Sequence, residues 1–382
     1  MVVKIWCLRL FKTQAVHHLH EELVAAIRAQ YLSTEQDYPW IIGFSGGKDS
    51  TLVAQLVFAA LMEISPSRLT RKVHVVANDT LVESPLVVSH LMQSLQEIES
   101  GARIHDLPVT VATTTPELAH TFWYLLIGKG YPSPNQQMRW CTDRLKIQPT
   151  SRYIREQVAA NGAAIILLGV RRNESEVRRR RIDSYQNEGD TQLSPHNNLV
   201  GAYIYRPIVD LTTDEVWELL ASFPPAWGGD NSRLIKLYRD AAGGECPIVL
   251  SQEDAPGCGT NSSRFGCWTC TVVEKDKSLQ GFVDSGNVQY APLIEFRDWL
   301  KEIRNDPSLR QSRRRTGKLT VANGRLVPGP FTVAARQMIL QRLQETEQAY
   351  GARLVSDAEI DAIRRVWAED LIQQNQKEYI LE

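Results

Sequence analysis

Ser45-Gly46-Gly47-Lys48-Asp49-Ser50 follows a short apolar run and precedes a helical pattern. Gly46 and Gly47 let backbone N–H groups approach an anion, the helix start adds its positive end, and Lys48 adds a point charge. Ser45 and Ser50 bring hydroxyl donors. These residue types at this spacing predict a phosphate cradle. It is not a Walker A loop: Ile42 stands where that motif has its first glycine, and Asp49 where it has Ser or Thr after the lysine. The plainer alternative is a glycine turn with Asp49 or Ser50 capping a helix. The position directly after an apolar strand favours the phosphate.

A second chemistry lies in the thiols. Cys267-Trp268-Thr269-Cys270 is a C-x-x-C, with Cys258 and Cys246 upstream and Cys141 far away in sequence. Two thiolates in one tight turn bind a metal centre, but four ligands are usual. An iron–sulfur cluster, structural zinc and a thiol redox pair are all open on these residues alone, although zinc ribbons more often pair two short C-x-x-C knuckles. Cys7, in an apolar N-terminal segment, reads as a packed thiol.

The elements that must position these groups follow from periodicity. Residues 40–44, 73–77, 109–112 and 163–170 read as strands, and residues 17–32, 49–62 and 154–160 as helices. Thr115-Pro116 looks like the N-cap and first turn of another helix. The alternation predicts an α/β fold: a parallel twisted sheet with helices on both faces, and ligands beyond the carboxyl ends of the strands. Thr212-Thr213-Asp214-Glu215 has the form of a capping box opening a helix to Leu220. Residues 240–275 are rich in Gly, Cys, Ser and Pro, residues 304–330 are basic and loop-like, and residues 333–350 and 357–373 read as amphipathic helices.

Composition sets outer limits. An apolar share of 43% and a charged share of 23% over 382 residues describe an ordinary globular chain, and a net charge of −1 leaves polyanion binding to local clusters. Apolar runs such as residues 163–168 are far short of a membrane span. The first residues lack the pattern of a signal peptide, so a cytoplasmic location with reduced thiols and no membrane partner is expected.

The loop resembles the PP-loop of ATP pyrophosphatases, which cleave ATP between its α and β phosphates and adenylylate a substrate oxygen. Asp79-Thr80-Leu81-Val82-Glu83 is similar to the D-T-x-x-E segment of the sulfonucleotide reductase branch. Gly169-Val170-Arg171-Arg172-Asn173-Glu174-Ser175 resembles its G-x-R-x-x-E-S element, and Pro207-Ile208 with Asp214-Glu215-Val216-Trp217 its P-I…D-x-V-W segment. The resemblance implies an adenine nucleotide α-hydrolase-like domain. In it Ser45, Gly46, Gly47, Lys48, Asp49, Ser50, Gly169 and Glu174 bind ATP, and Lys48 and Mg²⁺ stabilise the leaving pyrophosphate. Asp49 or Asp79 would help hold the metal, and Arg171 suits bidentate contact with an oxyanion. Arg178, Arg179, Arg180 and Arg181 place four more cations nearby.

Arg139-Trp140-Cys141-Thr142-Asp143-Arg144-Leu145-Lys146 resembles the cysteine segment of the iron–sulfur sulfonucleotide reductases, which carry adjacent cysteines where Thr142 stands here. The resemblance implies a 4Fe–4S cluster on Cys141, Cys258, Cys267 and Cys270, with Cys246 the alternative fourth ligand. The run from Cys258 to Val273, with Leu326-Val327-Pro328-Gly329-Pro330-Phe331 and Arg336-Gln337, resembles DndC-type proteins (including SspD) of DNA phosphorothioation. That implies an ATP pyrophosphatase and sulfurtransferase acting on a DNA backbone phosphate, with a cysteine desulfurase as sulfur donor and other subunits of the modification complex as partners. Arg304, Arg310, Arg313, Arg314, Arg315, Lys318 and Arg325 would face DNA. Adenylyl sulfate reduction and tRNA thiolation are the alternatives; no cysteine follows Cys270, which counts against the reductase. The expected organisation is an N-terminal helical segment (1–35), the PP-loop domain (36–239), a cysteine-rich iron–sulfur segment (240–300) and a basic linker with C-terminal helices (301–382).

Overall fold

The computed structural model describes residues 2–33, 37–174, 180, 193–241, 265–322 and 325–379. Six strands form one sheet: β1 (Trp40–Gly43), β2 (Val73–Asn78), β3 (Val109–Thr114), β4 (Ala164–Leu167), β5 (Leu193–Pro195) and β6 (Ala202–Tyr205), in the order β3-β2-β1-β4-β6-β5. All neighbours pair in parallel except β5, which runs antiparallel along the edge beside β6. The central strand β1 sits between β2 and β4, with Trp40 opposite Val73 on one side and Ile165 on the other. All four residues of β4 are buried, the near-continuous apolar reading of a strand covered on both faces.

On one face lie α1 (Val2–Leu32), α2 (Lys48–Met62) and α5 (Thr213–Ser222), which bury Val24, Ile27, Leu52, Leu56, Trp217 and Leu220 against Trp40, Ile42 and Leu167. Helix α2 is buried nearly all round, from Ser50 to Phe58, as an interior helix must be. On the other face α4 (Gln148–Asn161) packs Ile154 on Ile41, Val76, Ala164 and Ile166. The capping box at the start of α5 is present: the Thr212 hydroxyl accepts from Glu215 N at 3.2 Å, and the Glu215 carboxylate accepts from Thr212 N at 2.7 Å.

A second core joins residues far apart in sequence. Helices α6 (Ser232–Ala241), α7 (Lys277–Asp284), α8 (Ala291–Ile303), α9 (Val333–Tyr350) and α10 (Asp357–Tyr379) gather Leu237, Leu279, Phe296, Ile339 and Ile363 around Trp123, Leu126 and Trp268. Backbone-directed bonds fasten it: Trp123 Nε1 to Leu354 O at 2.7 Å and Trp367 Nε1 to Ile127 O at 2.9 Å.

The helix expected from Thr115-Pro116 does not form. The chain instead makes a 3-10 turn, Leu118–His120, and a π-turn, Tyr124–Gly128. Its apolar residues Phe122, Trp123, Leu126 and Ile127 serve the second core rather than the sheet face, which α4 covers. Helix α3 (Pro85–Ile104) follows β2. Among the described residues no helix is long and apolar enough to cross a membrane.

Candidate active site

Strand β1 ends at Gly43, and Phe44 N extends its pairing to Val76 O at 2.9 Å. The chain then turns through Gly46, whose φ of 69° is a left-handed conformation that favours glycine, into α2. Gly47 is the N-cap, with no side-chain hydrogen bond capping the helix. The first turn of α2 therefore presents N–H groups that its own side chains do not cap, which is the requirement for an anion site and not the capped turn that was the alternative. Ser50 is buried and works inside the loop: its Oγ donates to Gly47 O at 3.0 Å and accepts from Ser45 N at 3.2 Å. Its proton being committed, Ser45 Oγ is the donor in the 3.1 Å contact between the two hydroxyls.

Asp49 stands between two cations. Lys48 Nζ lies 2.8 Å from one carboxylate oxygen and Arg171 Nε 2.7 Å from the other. Arg171 is 2% exposed, and its guanidinium also donates to Leu211 O and Thr213 Oγ1, each at 3.2 Å. Through Nε and Nη1 its buried guanidinium holds Asp49 and the start of α5. Gly169 explains how β4 comes so near: a Cβ there would lie 2.8 Å from the Asp49 backbone carbonyl. Glu174 ends a short turn, Arg172–Glu174, and its side chain, like Ser175, Arg178, Arg179 and Arg181, lies outside the described residues.

Two supports of the loop escape sequence reading. Beneath Gly46, His90 accepts at Nδ1 from Arg233 Nε at 3.1 Å, so its Nε2 carries the hydrogen and donates to Gly46 O at 3.0 Å. Arg233 is fixed in turn by both oxygens of Glu97, at 2.8 and 2.9 Å. Burial, reinforced by the Arg233 charge, lowers His90 below the usual histidine range and keeps it neutral. Beside Gly47, the Tyr238 hydroxyl accepts from Lys48 N at 3.2 Å. Both Arg233 and Tyr238 stand on α6, whose Leu234, Leu237 and Ala241 do show helical spacing in the sequence.

The loop after β2 links this site to the thiols. Asp79 accepts from Leu81 N at 2.8 Å, and burial pushes its carboxyl up from the usual range. Glu83 pairs with Cys267 in an antiparallel bridge, with Trp268 N to Val82 O at 3.0 Å and Ser84 N to Gly266 O at 3.3 Å. Thr80 Oγ1 reaches Glu83 at 3.2 Å and Cys267 Sγ at 3.4 Å, and Lys146 reaches Glu83 at 3.0 Å. Burial, and then the Glu83 carboxylate, push the Cys267 thiol up. Burial, and then Cys270, do the same to Cys141. Cys141 opens a second π-turn, Thr142–Ile147, a helix irregularity common at functional sites.

Cys141, Cys267 and Cys270 thus share one neighbourhood, while Cys258 and Cys246 lie outside the described residues. Among the described residues no group of three or more His, Cys, Asp and Glu side chains is closed around a metal position. The donor set fits a thiolate-held cluster in kind. It consists of soft thiols, and the Thr269 hydroxyl, 1% exposed in the turn between two of them, has no hydrogen-bond partner.

Much of the basic stretch expected to face DNA is engaged internally. Arg304 donates to Pro134 O and Thr271 O, and Arg310 to Arg304 O, Pro328 O and Gly329 O. Arg315 forms a two-point pair with Asp370 of α10, and Arg314 donates to Thr320. Arg313 and Lys318 are exposed, although Arg313 also donates to Gly317 O. The Arg325 side chain is outside the described residues.

A mostly parallel sheet, a glycine turn at the carboxyl end of its central strand and a helix start with a glycine N-cap together define the PP-loop, adenine nucleotide α-hydrolase-like class. Residues 39–273 match the phosphoadenosine phosphosulfate reductase domain, and the chain belongs to that family. No curated protein matches. Among solved structures, phosphoadenylyl-sulfate (PAPS) reductase from Candida auris in its phosphate complex is 12% identical, with 54% of this chain and 83% of that chain covered and a TM-score of 0.33. Candida glabrata FMN adenylyltransferase with FAD and inorganic pyrophosphate is 12% identical over 65% of this chain and 71% of that chain, TM-score 0.35. NAD⁺ synthetase from Burkholderia pseudomallei is 13% identical over 88% and 91%, TM-score 0.34.

Proposed function

We propose that the chain is a DndC-type ATP pyrophosphatase and sulfurtransferase of DNA phosphorothioation. The observation that supports it most is the docking of the C-x-x-C segment on the loop after β2, through the Glu83–Cys267 bridge. A phosphate cradle after β1 and a group of thiols then lie at the same, carboxyl end of the sheet. In this reading a non-bridging oxygen of a DNA phosphate attacks the α-phosphorus of ATP and pyrophosphate leaves. Sulfur from a cysteine desulfurase, carried as a persulfide, then attacks the activated DNA phosphorus and AMP departs with that oxygen; a second thiol cleaves the S–S bond, leaving sulfur on the phosphate and a disulfide in place of the two thiols.

The loop amides and Lys48 carry the charge that develops on pyrophosphate. Mg²⁺, when bound, would neutralise phosphate charge. Asp79, with no cationic partner among the described residues, suits it better than Asp49, whose two oxygens meet Lys48 and Arg171. Cys141, Cys267 and Cys270, with Cys258 or Cys246, would hold a 4Fe–4S cluster, which supplies electron or sulfur transfer. Arg313 and Lys318 are the exposed cations of the basic stretch left to meet flanking DNA.

The family match favours a second reading, reduction of an adenylyl sulfate. Anaerobic protein incubated with ATP and DNA should yield AMP and pyrophosphate; ADP as the main product refutes the assignment. Cells lacking the protein should lose nuclease-resistant phosphorothioate dinucleotides. If they keep those and lose sulfite formation from adenylyl sulfate, the reductase reading is correct.

A further inference from the structure

Tyr238 lies 190 residues from the phosphate loop in sequence, yet its hydroxyl sits on the loop's backbone, 3.2 Å from Lys48 N. The same oxygen would be 3.2 Å from a Cβ built on Gly47, so the second glycine makes room for this phenol as well as for an anion. The ring is wedged edge-on between Trp217, at 5.0 Å, and Phe265, at 4.6 Å. Helix α6, which carries it, is fastened to the loop a second time through Arg233 and His90. A ring packed on both sides, on a helix anchored twice, stays in place when a ligand arrives.

The hydroxyl has one acceptor role filled, by the Lys48 amide. Among the described residues no acceptor takes its own hydrogen. Burial raises the phenol above the usual tyrosine range, so that hydrogen is retained. It lies where the amide beside it would itself point at a phosphate oxygen, at the start of a helix.

We propose that Tyr238 is a phosphate-binding residue, taking the Lys48 amide hydrogen and donating its own to the anion held by the 45–50 loop. The proposal rests on the loop being a nucleotide phosphate site. It changes the donor set from one of glycine amides and lysine to one in which a side chain from a distant helix completes the cradle. Lys48 Nζ lies over the face of the same ring, 5.8 Å from its centre, while paired with Asp49.

The test is Tyr238→Phe in the full chain, purified anaerobically, with calorimetric binding of three probes: ATP, inorganic pyrophosphate and adenosine. The variant keeps the ring packing and removes one hydroxyl. Affinity for ATP and for pyrophosphate should each fall roughly 10-fold, the low end for a hydrogen bond to a charged group. Adenosine affinity should be unchanged, and the thermal midpoint without ligand should fall only slightly, because the Lys48 amide loses its acceptor. Undiminished or tighter binding of ATP overturns the proposal, the second because the phenol would then compete with phosphate. An equal loss for all three probes also overturns it, by making the role structural. Lys48→Ala separates the two levels. If it loses ATP while Tyr238→Phe does not, only this proposal falls; if it binds ATP as tightly as the native chain, the phosphate-loop reading falls and this proposal with it.

Discussion

Replacing Arg171 by Met would keep an unbranched stem and delete the guanidinium. The native group is 2% exposed and holds Asp49 at 2.7 Å. Removing one partner of a buried pair costs about 3–5 kcal/mol. Asp49 is 17% exposed and keeps Lys48 at 2.8 Å. Solvent and that second cation bring the cost down to roughly 2–3 kcal/mol. The Leu211 carbonyl also loses a donor, worth about 1 kcal/mol. A total of about 3–4 kcal/mol, divided by a urea slope of about 2–3 kcal/mol/M, lowers the unfolding midpoint by about 1–2 M. The assay is urea unfolding of the ligand-free protein, with Arg171→Met, Asp49→Asn and the double variant compared. Both single variants should destabilise, and the double variant should recover at least about 1 kcal/mol relative to their sum. If Arg171→Met unfolds at the native urea concentration yet no longer binds ATP, Arg171 faces the ligand and the positioning role is refuted.

Gly169→Ala should abolish ATP binding with little loss of secondary structure, because the new methyl meets the backbone of Asp49 and displaces the loop; calorimetry and circular dichroism check it. Anaerobic protein should carry about four irons per chain and absorb broadly in the visible. Cys141→Ser, Cys267→Ser and Cys270→Ser should each lose iron and Cys7→Ser should not, while Cys258→Ser against Cys246→Ser identifies the fourth ligand; stoichiometric zinc from iron-replete growth would refute the cluster. His90 has a folded-state pKa lowered from 6.5, so its contribution to stability is full above that value and is lost as pH falls through the lower folded value. His90→Gln should therefore flatten the acid side of a thermal-midpoint-against-pH curve, and parallel curves for the two proteins would count against the buried neutral ring.

The strands at 40–44, 73–77 and 163–170 were legible because buried parallel strands are near-continuous apolar runs, whereas 109–112 was legible from its β-branched Val-Thr-Val, since β3 is an edge strand with only Val109 and Thr114 buried; β1, β2, β3 and β4 fall within or overlap these ranges. Strand β5 was not: three residues ending in Pro195 carry no period. The phosphate loop was legible because its donors are consecutive. Its supports were hidden because His90, Arg233 and Tyr238 meet it across 44 to 190 residues, and no local pattern encodes such pairs. Charge counting likewise missed that Arg304, Arg310 and Arg315 bind carbonyls and Asp370. A run of arginines gives net charge but says nothing of which acceptors the fold brings to it.

The π-turn after Cys141 has a consequence for how this segment can change over time. A π-turn holds one residue more per turn than the α-helix that continues it. Deleting one residue between 142 and 147 would remove the excess and give regular α-helix with Cys141 still facing nearly the same way, whereas closing the π-turn with all its residues kept would rotate Cys141 about the axis by about 100°. The direction of the Cys141 thiol thus depends on the π-turn being kept. A single codon lost here removes the π-turn and spares the thiol's direction, whereas substitutions that favour regular α-helix at unchanged length turn it away.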